Sequence, residues 1–277
     1  MTDVLVRAQT LGHWDAAVEA AARIAATFRG ALTAVHVVPI GMPPVTTYDP
    51  GMLAAAAAME AERQVREAEG HAEAFSAWAA SMGARNPVWL ASAGDAAQAL
   101  EYVAGCHDLV VARLDASDDD PWTHVGGVGR ITIATRLPTL VLPAGGDAGR
   151  VFGTLVVAWN GRPGAARALH GALPFVTRAH RVVVLTGERQ RPLSMRRSFC
   201  LEDWLERHRP DAEVRALGDI GDGGEPTGAA LLAAARREDA DLLVMGAYGH
   251  ARFSEWVLGG VTRHVLAHAD LPLLMRH

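Results

Sequence analysis

Lysine is absent from this chain of 277 residues: all 26 of its basic residues are arginine. A P-loop lysine, a pyridoxal Schiff base and a lysine nucleophile are therefore excluded by inspection. Cysteine is nearly absent too. Cys106 and Cys200 lie far apart and form no CxxC pair, so neither a disulfide framework nor a structural zinc site is indicated, and reduced thiols in a cytoplasmic protein are the simplest reading. Basic tracts and interleaved aromatic and basic residues are missing, and a formal net charge of -5 with a pI near 6.2 argues against a surface that neutralises nucleic-acid phosphates. The opening residues MTDVLVRAQTLGHWD lack the basic segment and apolar run of a secretory leader. No later apolar run approaches the ~20 residues that cross a bilayer. A cytoplasmic protein with no membrane partner is expected.

What the chain has is apolar residues, 50% of the total, in short runs separated by helical patterns. VLVRA at residues 4–8 predicts a strand, 16–28 a helix, ALTAVHVV at 31–38 a second strand, and the alanine-rich stretch 52–82 a long helix interrupted at Gly70. Phe75 and Trp78 at helical spacing read as core contacts. Strands at 87–91, 108–113 and 137–143 follow, with helices at 96–103 and from Gly126 between them. The order then repeats: strand 155–159, helix 164–177, strand 181–186, helix 193–208, strand 213–217, helix 227–237, strand 241–245, a helix from Val261 and a last strand at 271–275. Alternating short apolar strands and helices predict open parallel sheets with helices on both faces.

The repeat is visible in the letters. Asp108 and Gly126 stand as far apart as Asp241 and Gly259, and both copies begin Asp-Leu-(Leu/Val)-Val and end Gly-Gly-Val-x-Arg. A repeat of domain size predicts two tandem five-stranded α/β sheets, residues 1–145 and 151–277, joined by the glycine-rich run at 144–149.

The second copy carries the chemistry. After the strand ending at Met245 come Gly246, Gly249 and the pair Gly259-Gly260, followed by Val261 and Thr262 at a helix start. Glycines let a ligand approach the main chain, and free N–H groups at a helix start suit a phosphate. Tight strand-to-helix packing also uses such glycines, and the letters leave both readings open.

This G-x2-G-x9-G spacing resembles the nucleotide-binding signature of the universal stress protein family, and the repeat extends the resemblance to a tandem of two such domains. The resemblance implies a Rossmann-like fold of the adenine nucleotide alpha hydrolase type, ATP as ligand, magnesium with the nucleotide, a regulatory role in the stress response, and weak ATPase activity at most. Carried over to this chain, its binding residues are Asn160, Thr186, Met245, Gly246, Gly249, Arg252, Gly259, Gly260, Val261 and Thr262. Two positions depart from the family. Gly260 stands where a Ser or Thr hydroxyl helps hold phosphate, leaving Thr262 as the substitute. Asn160 stands where the family commonly has Asp at the adenine edge; its amide can donate and accept, and Asn160-Gly161 also reads as a turn. The resemblance further implies pairing of the two domains through their last strands, 137–142 and 271–275, and leaves homodimerisation open.

The first copy has lost two of the glycines: Arg113 replaces Gly246 and Ala116 replaces Gly249. Asp115, Asp118, Asp119 and Asp120 fill its loop, where carboxylates would repel a triphosphate. A solvated acidic loop is the expectation, because the calcium loop pattern fails: Asp120 and Gly126 occupy the places needed for glycine and glutamate. The first domain is read as degenerate. The glycines from Gly218 to Gly228, interspersed with Asp219, Asp222 and Glu225, read as a flexible loop over the site.

No catalytic string appears: HxGH, SGGxDS and GxSxG are all missing. Of the 12 histidines, His264 and His268 alone form a helical pair inviting a metal; without a glutamate or cysteine nearby they read as packed or solvent-facing. Three functions remain. The leading one is a nucleotide-binding regulator; the others are a ligand-free interaction module with a decayed site and, disfavoured by the missing motifs, a phosphotransfer enzyme.

Overall fold

The computed structural model describes residues 2–40, 50–115, 119–145, 152–187, 201–217, 225–247 and 259–277. The chain divides into two compact units, Met1–Ala112 and Arg113–His277.

The first unit runs β1 (Val4–Ala8), α1 (Ala16–Phe28), β2 (Ala31–Val38), α2 (Pro50–Glu69), α3 (Ala72–Ser81), β3 (Arg85–Ala93) and α4 (Ala96–Ala104) into β4 (Leu109–Leu114). Its strands lie in the order β3-β2-β1-β4, all parallel. Val4, Leu5 and Val6 are fully buried, as expected for a parallel strand covered on both faces. Asp15 starts α1 by accepting from the N–H groups of Ala17 and Val18, and Arg29 ends it in the left-handed conformation. The long alanine-rich helix does break at Gly70.

The second unit holds α5 (Val125–Thr135), β5 (Thr139–Pro143), β6 (Thr154–Trp159), α6 (Pro163–Gly171), α7 (Leu173–Val176), β7 (Arg181–Thr186), α8 (Leu201–His208), β8 (Glu213–Ala216), α9 (Glu225–Arg237), β9 (Leu242–Gly246), α10 (Gly260–His268) and β10 (Leu273–Arg276). The strand order is β5-β10-β9-β6-β7-β8. The helix expected over 164–177 is two helices. Pro174 has no N–H to donate and its ring would meet the carbonyl four residues back, so α6 ends at Gly171 and Pro174 enters the first turn of α7.

The α/β architecture of parallel strands and helices agrees with the sequence reading, with one difference in its accounting. β5 closes the first copy of the repeat, yet it pairs antiparallel with β10, Leu140 opposite Leu274, and every residue of it is buried. Its apolar contacts therefore belong to the second compact unit, and the structural division falls at Ala112/Arg113, whereas the repeat changes copy at the linker.

The first letter of the repeat has a structural task. Asp108 Oδ2 accepts from Asp3 N at 3.0 Å and Asp241 Oδ2 from Thr154 N at 2.8 Å, while each aspartate's own N–H is donated back to the carbonyl of Asp3 or Thr154. The same two-bond clasp thus aligns β1 with β4 and β6 with β9, at the strand ends opposite the candidate site.

Candidate functional site

In the second unit β6 has β7 on one side and β9 on the other, so the strand order reverses there. In open α/β sheets ligands lie outside the carboxyl ends of the strands at such a reversal. Ala158 pairs with Met245 and Trp159 with Thr186, which brings Asn160, Gly246 and Thr186 level at one edge.

α10 supplies the anion-binding element. Gly259 is its cap, with φ -54° and ψ 138°, and as a glycine it has no side chain with which to cap the helix. The first helical bond runs from Arg263 N to Gly259 O, so the N–H groups of Gly260 and Val261 have no acceptor within the helix. A Cβ at Gly259 would meet nothing within 4 Å, and Gly260 is exposed. Val261 is half-buried and Thr262 is buried, so the hydroxyl that could stand in for the missing Ser or Thr is packed inside.

Gly246 serves packing. A Cβ there would lie 2.6 Å from Gly164 C and 2.7 Å from Ala165 N, so the end of β9 abuts the first turn of α6, backbone against backbone. Met245, just before it, is buried in the sheet. Thr186 donates from Oγ1 to Arg215 O at 3.3 Å, and its carbonyl accepts from Leu217 N; both polar groups are committed to the sheet edge. Gly249 and Arg252 lie outside the described residues, as do His250 and the glycines at 218–224.

Asn160 is exposed and closes a turn. Its Oδ1 accepts from Arg162 N at 3.0 Å, Gly161 takes φ +69°, and Arg162 then caps α6. The acceptor half of the amide is used locally, whereas Nδ2 has no partner among the described residues. The local signal was the Asn-Gly pair itself; the involvement of Arg162 was missed.

His264 and His268 stack at 4.2 Å, and His268 Nδ1 bonds His264 O at 2.8 Å. His264 also rests on α9: a Cβ at Gly228 would lie 2.9 Å from its own Cβ. His264 is half-buried against α9 and His268 is exposed, and among the described residues no cluster of three histidine, cysteine or acidic side chains could hold a metal.

The corresponding helix start of the first copy, α5, is covered. A Cβ at Gly127 would fall 2.2 Å from Pro121 O and 2.5 Å from Trp122 Cα, whereas one at Gly126 would meet nothing. The covering loop is held by Asp115 N donating to Thr123 O at 2.8 Å, by Thr123 Oγ1 donating to Asp120 O, and by Asp120 Oδ1 accepting from Trp122 N. Arg130 lies 4.5 Å over the Trp122 ring. Asp118 and Ala116 lie outside the described residues; among the described ones the acidic loop differs from its expected solvated state at Asp115, which is buried and paired with Arg113, the residue that replaces the first signature glycine.

The first unit differs at the base end as well. Between β1 and its capping Asp15 the chain runs from Gln9 to Trp14, where the second unit has only Asn160 and Gly161 before Arg162. Trp14 uses that length to reach Phe75, Trp78 and Trp89, with ring centroids 5.3, 5.5 and 5.5 Å away. Phe75 is fully buried and Trp78 half-buried, so both are core contacts as expected. His36 takes the register place of Thr186, donates from Nδ1 to Ala8 O at 3.0 Å and stacks on Trp89. Its pKa is lowered, chiefly by burial, with Arg7 and His71 adding repulsion against the Ala8 bond.

The comparisons agree with this geometry. Residues 152–277 match the model of the universal stress protein family. No curated protein matches the chain. A universal stress protein from Archaeoglobus fulgidus DSM 4304 superposes with a TM-score of 0.63 at 15% identity, over 98% of this chain and 95% of its own. A putative universal stress protein from Pseudomonas aeruginosa UCBPP-PA14 superposes at 0.57 with 14% identity, over 100% and 93%. A universal stress protein crystallised in complex with cAMP covers 46% of this chain and 98% of its own at 20% identity, with a TM-score of 0.31. The chain as a whole has the fold of the first two, and its residues 152–277 are similar to the universal stress protein family.

Proposed function

We propose that this chain is a nucleotide-binding regulatory protein of the stress response, holding a purine nucleoside triphosphate in its second unit, with ATP and accompanying magnesium as the ligand to test first. The supporting observation is the start of α10: Gly260 is exposed, its N–H has no acceptor within the helix, and among the described residues no side chain occupies the space beside Gly259. Amides aimed outward from a helix start, carrying its partial positive charge, are suited to an anionic oxygen. On this reading nucleotide is bound with slow or no hydrolysis, in keeping with the absence of the HxGH, SGGxDS and GxSxG strings from the sequence. On this reading the first copy is a degenerate partner domain, paired with the second within one chain.

Gly260→Pro tests the reading with little disturbance. Proline is tolerated at the first helical position, and the extended conformation of Gly259 is the one a following proline requires. The variant should keep its melting temperature and lose ATP affinity by about tenfold, since one charge-assisted hydrogen bond disappears. Equilibrium binding of labelled ATP to the full chain and the variant is the measurement. Absence of saturable binding by the wild type would leave the ligand-free interaction module, on which Gly246 is a packing residue and Asn160 a turn residue. ATP turnover above background, lost in the variant, would restore the enzyme.

A further inference from the structure

We infer that Asn160 is a modification site: in the folded protein its side-chain amide is lost spontaneously as ammonia, through attack by the backbone nitrogen of Gly161, leaving aspartate or isoaspartate in the turn between β6 and α6. The chain has two asparagines, Asn86 and Asn160, and both are exposed. The residue that follows each of them separates their chemistry. Asn86 precedes Pro87, whose ring nitrogen carries no hydrogen to give up and so cannot close an uncharged imide. Asn160 precedes Gly161, the residue type that hinders such an attack least, because it has no Cβ.

The folded turn favours the reaction. Oδ1 of Asn160 accepts from Arg162 N at 3.0 Å. That N–H polarises the side-chain carbonyl and faces the oxygen on which negative charge gathers as Cγ becomes tetrahedral, the role a backbone donor has in an oxyanion hole. Nδ2, the leaving nitrogen, is held by no partner among the described residues. Gly161 has φ +69°, and a Cβ built on it would meet nothing within 4 Å, so no neighbour crowds the reacting nitrogen from that side.

The chemistry balances as a hydrolysis. Gly161 N gives its proton to hydroxide and bonds to Asn160 Cγ; the Cγ–Nδ2 bond breaks, and ammonia leaves with a proton from water. One water then opens the five-membered imide. Opening at Cγ gives aspartate, and opening at the backbone carbonyl of residue 160 gives isoaspartate, whose main chain runs through the former side chain and is one methylene longer. Either product adds one negative charge just before α6. Aspartate keeps an oxygen for Arg162 N, whereas isoaspartate lengthens the connection that seats Gly164 against Gly246.

Full-length wild type kept at mildly alkaline pH, in buffer and in guanidinium chloride, is followed by isoelectric focusing, peptide mass mapping and methyl labelling with isoaspartyl methyltransferase. The folded protein should shift by one charge to the acidic side, gain in the peptide holding Asn160 the mass difference between a hydroxyl and an amino group, and take up label there. Its rate should be no lower than in denaturant, where the Arg162 bond is gone, and Asn86 should stay intact. Asn160→Gln still offers an oxygen to the turn but needs a slower-closing six-membered ring, and should lose the acidic shift. A folded sample that reacts more slowly than the denatured one would mean that the turn protects Asn160, and overturns the inference. An acidic shift that persists in Asn160→Gln overturns it as well, by placing the modified group elsewhere.

Discussion

The helix starts of α5 and α10 descend from the same repeated letters and have reached opposite states. In both, the first glycine of the pair faces open space: a Cβ at Gly126 or Gly259 would touch nothing within 4 Å. Around α5, Pro121 and Trp122 then lie directly on Gly127, and Asp115, Asp120 and Thr123 tie the loop down. The difference teaches that signature glycines hold at least two tasks. Gly127 and Gly246 exist because backbone lies against them. Gly126 and Gly259 have no such neighbour, and of these only Gly259 lies at a helix start whose second glycine is exposed.

The comparison breaks most visibly under alanine substitution. Gly127→Ala and Gly246→Ala each drive a methyl into backbone at 2.2 and 2.6 Å, and backbone cannot step aside as a flexible side chain can. Each should cost about 3 kcal/mol, lowering the melting temperature by roughly 6–12 °C. Gly126→Ala and Gly259→Ala should stay within about 0.5 kcal/mol of the wild type. Thermal melts of the four single variants check this; equal losses in all four would mean that the glycines do not divide as described.

Trp14 sharpens the same contrast at the base end. Trp14→Ala removes an aromatic ring that touches three others, and because Trp14 is itself only half-buried the loss should be about 2 kcal/mol, below the range for a fully buried ring. ATP affinity should not change, since the proposed nucleotide site lies in the second unit. A variant that unfolds no more readily, or that loses nucleotide, would contradict the division of labour between the copies.

How much of this was legible depends on the range of the interaction. The bounds of β1, α1, β2 and β7 could be read directly, because a parallel strand covered on both faces is a short apolar run and α1 has an aspartate cap. The Asn160-Gly161 turn was legible for the same local reason. Pro174 stood in the sequence too, and the break it imposes on the helix was overlooked. Nothing local tells Gly246 from a ligand-approach glycine, since the atom that forbids its Cβ belongs to Gly164, brought there by the fold. Trp14 gave no signal of its own, because its partners come from α3 and β3. That the last strands of the two copies meet was implied by the family resemblance; that β5 and β10 run antiparallel was not foreseen, since apolar periodicity carries no strand direction.

His36 gives the smallest and most pointed contrast, because its register counterpart, Thr186, cannot titrate at all. Nδ1 of His36 donates to Ala8 O, and burial against Trp89 with Arg7 and His71 nearby keeps the ring neutral below the ordinary histidine value. In the unfolded chain the same ring takes up a proton near pH 6.5. As pH falls through that value the unfolded state therefore binds more protons than the folded one, and stability declines until the depressed folded value is passed, where the slope ends. His36→Gln retains a donor for Ala8 O and cannot ionise. Urea midpoints compared between pH 7 and pH 5.5 should fall less in the variant than in the wild type, and His71→Gln, which removes only a repelling neighbour, should fall between them. Identical falls in all three would place the acid sensitivity of the fold elsewhere than in the ring that stands where Thr186 stands in the second copy.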